Sequence, residues 1–202
     1  YSLENEDRAA RAAWLVLHPS GRGTATSALS RTSIHTRLAS LCGVRTMSNS
    51  KNTSPQQLSV RIKECKNSGD YLQLLLQHGP SFNHIHVGAA WSKFKSMPRG
   101  GDRGTRIEVV RTLQELTESQ MPKMNGRAVA NILHAIAKTK AADTASMKQL
   151  VQKLMAKATT VSQSFEPQNV ANTVWALAKM GVTPEAGLLR AMQGRATAVA
   201  GE

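Results

Sequence analysis

The chain has 202 residues, 41% of them hydrophobic but only 4% aromatic, and a formal net charge of +13. A core drawn from Ala, Val, Leu, Ile and Met suits closely stacked helices and argues against a sandwich or barrel. The charge points to a polyanionic partner, while the apolar run AAWLVL (Ala12 to Leu17) is far too short to span a bilayer.

The positive charge is unevenly spread. From Arg8 to Lys63 there is no Asp or Glu, and the nine cations of that window (Arg8, Arg11, Arg22, Arg31, Arg37, Arg45, Lys51, Arg61 and Lys63) leave about +4 for the rest. SALSRTSIHTRLASLCGVRT, Ser27 to Thr46, is rich in Ser, Thr and Arg. That is the composition of an organelle transit peptide, and Ile34, Leu38 and Leu41 give it a weak amphipathic face. A disordered basic tail upstream of a start at Met47 fits the same residues. Residues 1–50 are therefore expected to be a disordered, transit-peptide-like basic segment. Cys42 and Cys65 form no CxxC and no framework, which suits unpaired thiols in a reducing compartment.

Helical periodicity takes over at Ser54. SPQQLSVRIKECK offers Ser54 as N-cap and Pro55 as first helical residue, with Leu58, Ile62 and Cys65 on one side. After Asn67-Ser68-Gly69, DYLQLLLQHG reads as a second helix stopped at Gly79. Phe82 to Met97 follows, with Val87, Trp91 and Phe94 at helical spacing. PRGGDRG reads as a basic loop, and Arg106 to Glu118 as another helix. Helices are then expected from near Asn125 to Lys140 and from Ser146 to Ala158, with Thr159 to Ser164 as a link. The next runs from Pro167 to a stop at Gly181, and a last follows Thr183-Pro184-Glu185. No segment alternates with period 2. The expected fold class is all-α.

FEPQNVANTVWALAKMG, Phe165 to Gly181, has an echo in MNGRAVANILHAIAKTK, Met124 to Lys140. Val, Ala and Asn at 129–131 match those at 170–172, and Ala135, Ala137 and Lys138 match Ala176, Ala178 and Lys179. Setting Phe82, Met124 and Phe165 in register gives spacings of 42 and 41 residues. Helix pairs at that interval argue for a right-handed α-solenoid, in which no pair has a core until its neighbours stack on it. The repeat region is 54–202, with a partial copy over 54–81 and copies starting near 82, 124 and 165.

Angular placement at 100° per residue assigns two stripes to the core: Val129, Leu133, Ile136 and Ala137 in the second copy, and Val170, Val174, Leu177 and Ala178, flanked by Ala171, in the third. Beside them lie Asn131, His134 and Lys138, and Asn172, Trp175 and Lys179. An amide, a flat ring and a cation in line are suited to single-stranded RNA. The amide can pair with a base edge, the ring can stack, and the ammonium can meet a phosphate. The same Asn can instead bridge a neighbouring repeat, Trp175 can fill a seam, and the lysines can be plain solvated residues near a helix C-terminus. The first copy carries Ala89, Ser92 and Ser96 at these places.

The Phe165 to Gly181 string, echoed at 129–138, resembles the signature helix of organellar α-helical repeat proteins. These are the octotricopeptide-type repeats of algal organelles and the repeats of FAST-kinase-like and RNA-editing substrate-binding complex proteins. The resemblance covers about residues 82 to 202. It implies an RNA-binding solenoid acting in mitochondrial or chloroplast RNA processing, stability, editing or translation, within a ribonucleoprotein. The repeat spacing is longer than the octotricopeptide type's, and the 202 residues include no nuclease-like domain of the kind some relatives carry.

No catalytic constellation stands out. His84-x-His86 is a close His pair without a Cys or paired carboxylate beside it, and no GxxxxGK[ST], GxSxG or HExxH occurs. RGGDRG (Arg99 to Gly104) is either a linker or a loose RNA contact. The expectation is an RNA-binding module that is not an enzyme, in the matrix or stroma, with RNA held at Asn131, His134, Lys138, Asn172, Trp175 and Lys179. No cofactor, metal, membrane or small-molecule substrate is expected; ribonucleoprotein partner proteins are. The competing expectation is a scaffold holding a partner's peptide or helix in the same groove.

Overall fold

The computed structural model describes residues 53–98, 102–141 and 144–200, and among them there are eight α-helices and no strand. The expected basic segment at 1–50 lies outside these residues. Helix α1 spans Pro55–Glu64, α2 Ser68–His78, α3 His84–Ser96, α4 Arg103–Gln120, α5 Gly126–Thr139, α6 Ala145–Val161, α7 Pro167–Met180 and α8 Ala186–Ala200.

The helix starts follow from local chemistry. Ser54 accepts from the Gln57 amide while the Gln57 side chain accepts from the Ser54 amide, a reciprocal cap that also satisfies two orphan donors. Asn67, Asn83, Asn125 and Thr144 accept comparable bonds from first-turn amides. Asp102 does so for α4, so Arg103 and Gly104 belong to a helix and not to the expected basic loop. Residues 99–101 of that loop are outside the described set. The expected link from Thr159 is also largely helical, since α6 continues to Val161.

Helices recur at fixed offsets. Short 3-10 turns at Gly79–Ser81, Met121–Lys123 and Ser162–Ser164 end in Phe82, Met124 and Phe165. The amide of each donates back to the first carbonyl of its turn, over 2.9, 3.2 and 3.0 Å, and each side chain is buried. Two residues after these anchors α3, α5 and α7 begin; 21 residues after them α4, α6 and α8 begin. Even the helix stops correspond. Gly181 closes α7 with φ 65°, and Lys140, at the same offset after Met124, closes α5 with φ 56°.

Helices of odd number pack on one another, as do α2 on α4, α4 on α6 and α6 on α8. The odd helices run parallel. The His86 ring meets the Pro55 carbonyl at the starts of α3 and α1, over 2.9 Å, and Lys93 donates to the Lys63 carbonyl near their ends, over 2.7 Å. Between α5 and α7 the Gly126 amide donates to Ser164 Oγ over 3.2 Å at the start, and His134 meets Trp175 further along. Across α4 and α6, Gln114 reaches the Ser146 carbonyl and Lys157 the Pro122 carbonyl, so that pair is parallel too.

The core lies between the odd and even helices. Val87, Trp91, Phe94, Leu113, Ile132, Leu133, Ile136 and Leu154 are all buried, each contributing about 1.5–3 kcal/mol for a fully buried aliphatic or Phe side chain. Two of its polar tips are satisfied: the Tyr71 hydroxyl donates to the Ala90 carbonyl over 2.7 Å and the Trp91 indole to Thr117 Oγ1 over 2.8 Å. Burial holds the Tyr71 phenol well above its usual pKa, so it stays protonated and donating.

The stripe expected in α5 is core throughout. That expected in α7 is not: Ala171, Val174 and Ala178 are exposed, while Asn169, Thr173, Ala176 and Leu177 are buried and Val170 is half-buried. The reason is position in the row. The corresponding α5 side chains are buried with α7 following, whereas no odd helix follows α7 among the described residues.

Two substitutions test these offsets. Gly126 has no room for a side chain: a methyl there would collide with the Phe165 ring and come within 2.9 Å of Ser164 Oγ. Gly126→Ala should destabilise by about 1–3 kcal/mol in urea unfolding despite alanine's better helix propensity; an unchanged midpoint would mean the two helices do not meet so closely. Lys140→Gly should stabilise by about 0.5–1 kcal/mol, since a left-handed residue with a Cβ is strained by about 1–2 kcal/mol. A loss of stability would refute the equivalence with Gly181.

Candidate nucleic-acid interface

The parallel odd helices bring the residues singled out in the sequence onto neighbouring turns. Lys95 of α3, His134 of α5 and Trp175 of α7 form a row running across the helices. The Lys95 ammonium donates to His134 Nδ1 over 3.2 Å. The His134 and Trp175 rings stand edge to face, with centroids 4.8 Å apart and planes at 74°, a geometry aromatic rings favour. His134 is half-buried, and Trp175 keeps 44% of its surface exposed.

Because Lys95 donates to Nδ1, the neutral ring carries its proton on Nε2. Burial lowers the His134 pKa, and the charges of Lys95 and Lys138 lower it further. Lys95 is itself lowered, by burial first and then by Lys138. Three basic groups therefore crowd one surface, where neighbouring charge opposes the protonation of His134 and Lys95. An anion arriving there would relieve that repulsion.

Asn131 and Asn172 are half-buried, neither sealed inside nor bridging to a neighbouring helix through any described bond. Asn172 Oδ1 accepts from Gln168 in its own helix over 3.0 Å, which leaves its amide NH2 to donate elsewhere. Lys138 and Lys179 are exposed in the last turns of α5 and α7.

Two features escaped sequence reasoning. Lys95 was not singled out, because the position equivalent to His134 in the first copy is Ser92; a side chain three residues on reaches across instead. The second is a segregation of charge. Helices α3, α5 and α7 contain no Asp or Glu, but carry Lys93, Lys95, Arg127, Lys138 and Lys179. The side-chain ion pairs among the described residues, Arg111 with Glu108 and Glu115 and Lys153 with Glu118, all lie on α4 and α6. The sequence contained this signal, but only the layering of odd helices turns it into a surface property.

His84-x-His86 is not a ligand pair in this structure. His86 is buried, its Nδ1 accepting from the Asn83 amide and its Nε2 facing the Pro55 carbonyl. Among the described residues no group of three or more His, Cys, Asp or Glu could hold a metal ion, and no helix is long and apolar enough to cross a membrane. Burial raises the Cys65 thiol pKa, the nearby Lys93 notwithstanding, so it is a poor nucleophile.

No family model matches the chain, and no curated protein matches it either.

The lowered His134 pKa has a consequence for stability. Folded His134 binds its proton below the ordinary value near 6.5, so the unfolded chain binds more protons as the pH falls through that value. Stability is full above about pH 6.5 and declines on acidification towards the folded value. His78, lowered by burial and by Arg61, adds to the same trend. His134→Gln should flatten, without abolishing, the drop in urea midpoint between pH 7.5 and 5.5; a slope identical to wild type would remove His134 from the account.

Proposed function

We propose that residues 54–202 form an α-solenoid of helix-pair repeats that binds single-stranded RNA along its odd helices, without catalysis of its own. The observation carrying this reading is the acid-free layer of α3, α5 and α7 with Lys95, His134 and Trp175 in a row across it. Phosphates would meet Lys95, Lys138 and Lys179, a base would stack on the exposed part of Trp175, and the amides of Asn131 and Asn172 would meet base edges. The recurrence of helix starts at one set of offsets supports the solenoid, since equivalent side chains then present themselves at a regular interval.

The acid-free composition from Arg8 to Lys63 supports import into a mitochondrion or chloroplast, and the resemblance of 165–181 to organellar repeat helices supports a role there in RNA processing, stability, editing or translation. A second reading, a scaffold for protein partners, is favoured by the apolar exposed side of α7, with Val174 and Trp175 side by side.

Binding of a labelled unstructured RNA, followed over a range of salt, separates the two. Wild-type affinity should fall steeply with salt. Lys138→Glu with Lys179→Glu should weaken binding at least about tenfold and make the salt slope shallower by about 1.4, at ~0.7 per phosphate contact on a single strand. Trp175→Ala should cost about 1–3 kcal/mol of affinity with the salt slope unchanged. RNA binding indifferent to the double lysine reversal would reject this face.

A further inference from the structure

Ala130, Leu133 and Ala137 of α5 are buried, and α7 is the helix that follows α5 in the row. At the same offsets α7 carries Ala171, Val174 and Ala178, near-identical in chemistry but exposed, Val174 to 53%. The α5–α7 interface therefore continues for one more step with nothing among the described residues to cover it. Small residues flanking one β-branched side chain are the surface of a helix that another helix approaches closely.

We propose that this side of α7 docks α1 of a second copy of the chain, head to tail. Each odd helix here receives the next one parallel to itself, through that helix's incoming side. The incoming sides of α3, α5 and α7 are already occupied by α1, α3 and α5. Only α1 has no odd helix before it among the described residues. On α1, Thr53, Gln56, Gln57, Val60 and Arg61 line a shallow, open depression. Val60, 50% exposed, is its apolar member. Docked in parallel, Glu64 at the end of α1 comes beside Lys179 in the last turn of α7. Two α7 helices placed side to side would instead join two outgoing faces, a contact the molecule uses nowhere.

A head-to-tail contact does not close on itself, so association should grow with concentration. Sedimentation equilibrium reads it directly. The weight-average mass of the wild-type chain should rise above 21.8 kDa as concentration increases from micromolar towards millimolar. Val60→Glu and Val174→Glu should each abolish the rise. Mixed in equal amounts they should recover a 1:1 complex of twice the mass that grows no further, because Val60→Glu keeps an intact tail and Val174→Glu an intact head. A wild-type chain monomeric throughout would overturn the proposal. So would a mixture that stays monomeric, or a Val60→Glu chain that still dimerises, which would indicate tail-to-tail pairing. Both valines are half-exposed, so the fold should tolerate glutamate, with circular dichroism melts matching the wild-type monomer. Should either unfold, Val60→Ala and Val174→Ala read the same contact as a several-fold weakening of association, and association as strong as wild type would overturn it.

Discussion

The buried side chain that ends each 3-10 turn sets the geometry on which the rest depends. Phe82, Met124 and Phe165 are each held by a backbone bond to the first residue of the turn, and each is followed at once by the cap of an odd helix. Once the anchor is buried, the start of that helix is fixed in height and direction. The Phe165 ring lies where a side chain at residue 126 would have to be, so the start of α5 approaches it as bare backbone. Parallel packing of α5 and α7 follows from that approach, and the His134–Trp175 contact further along follows from parallel packing.

Layering then separates the charges. Helices α4 and α6 form the ion pairs among the described residues, and such exposed pairs contribute only about 0–1 kcal/mol each. On α3, α5 and α7 the cations have no carboxylate on their own helix to neutralise them. Lys93 instead meets the Lys63 carbonyl, and Lys95 the His134 ring. Burial lowers the pKa of Lys95 and of His134, and neighbouring lysine charge lowers both further. In the proposed function, an anionic polymer lying over these helices would turn this repulsion into attraction.

Helices and their caps were legible in the sequence because caps are local. Ser54, Pro55, Asn125, Pro167 and Gly181 each state a helix end through a few neighbouring residues. The 41- and 42-residue offsets were legible from the anchors and the repeated Val-Ala-Asn. The inner stripe of α5 was legible too, but the same reasoning failed at Val174 and Ala178. A period of 3.6 identifies an apolar side without saying whether a neighbour covers it, and that depends on a helix elsewhere in the chain. Lys95 was illegible for a related reason. Offsets compare backbone positions, whereas a lysine reaches over several ångströms to a ring on the next helix.

The residues ten positions after each anchor are Ser92, His134 and Trp175. His134 shows where such a position lies: at the crease between successive odd helices, touching α3 through Lys95 and α7 through Trp175. Trp175 lies at the corresponding crease of α7, but with no odd helix following it among the described residues. Its exposure therefore has two sources, the partly exposed crease that all three share and the uncovered side that α7 alone has. A helix placed against Ala171, Val174 and Ala178 would narrow the second and leave the first. Base stacking and helix docking thus draw on different parts of one ring, and a crease closed on one side would hold a stacked base more firmly than the open edge does. The two proposed interactions are compatible on that geometry, and each further helix in the row would complete the site of the one before it.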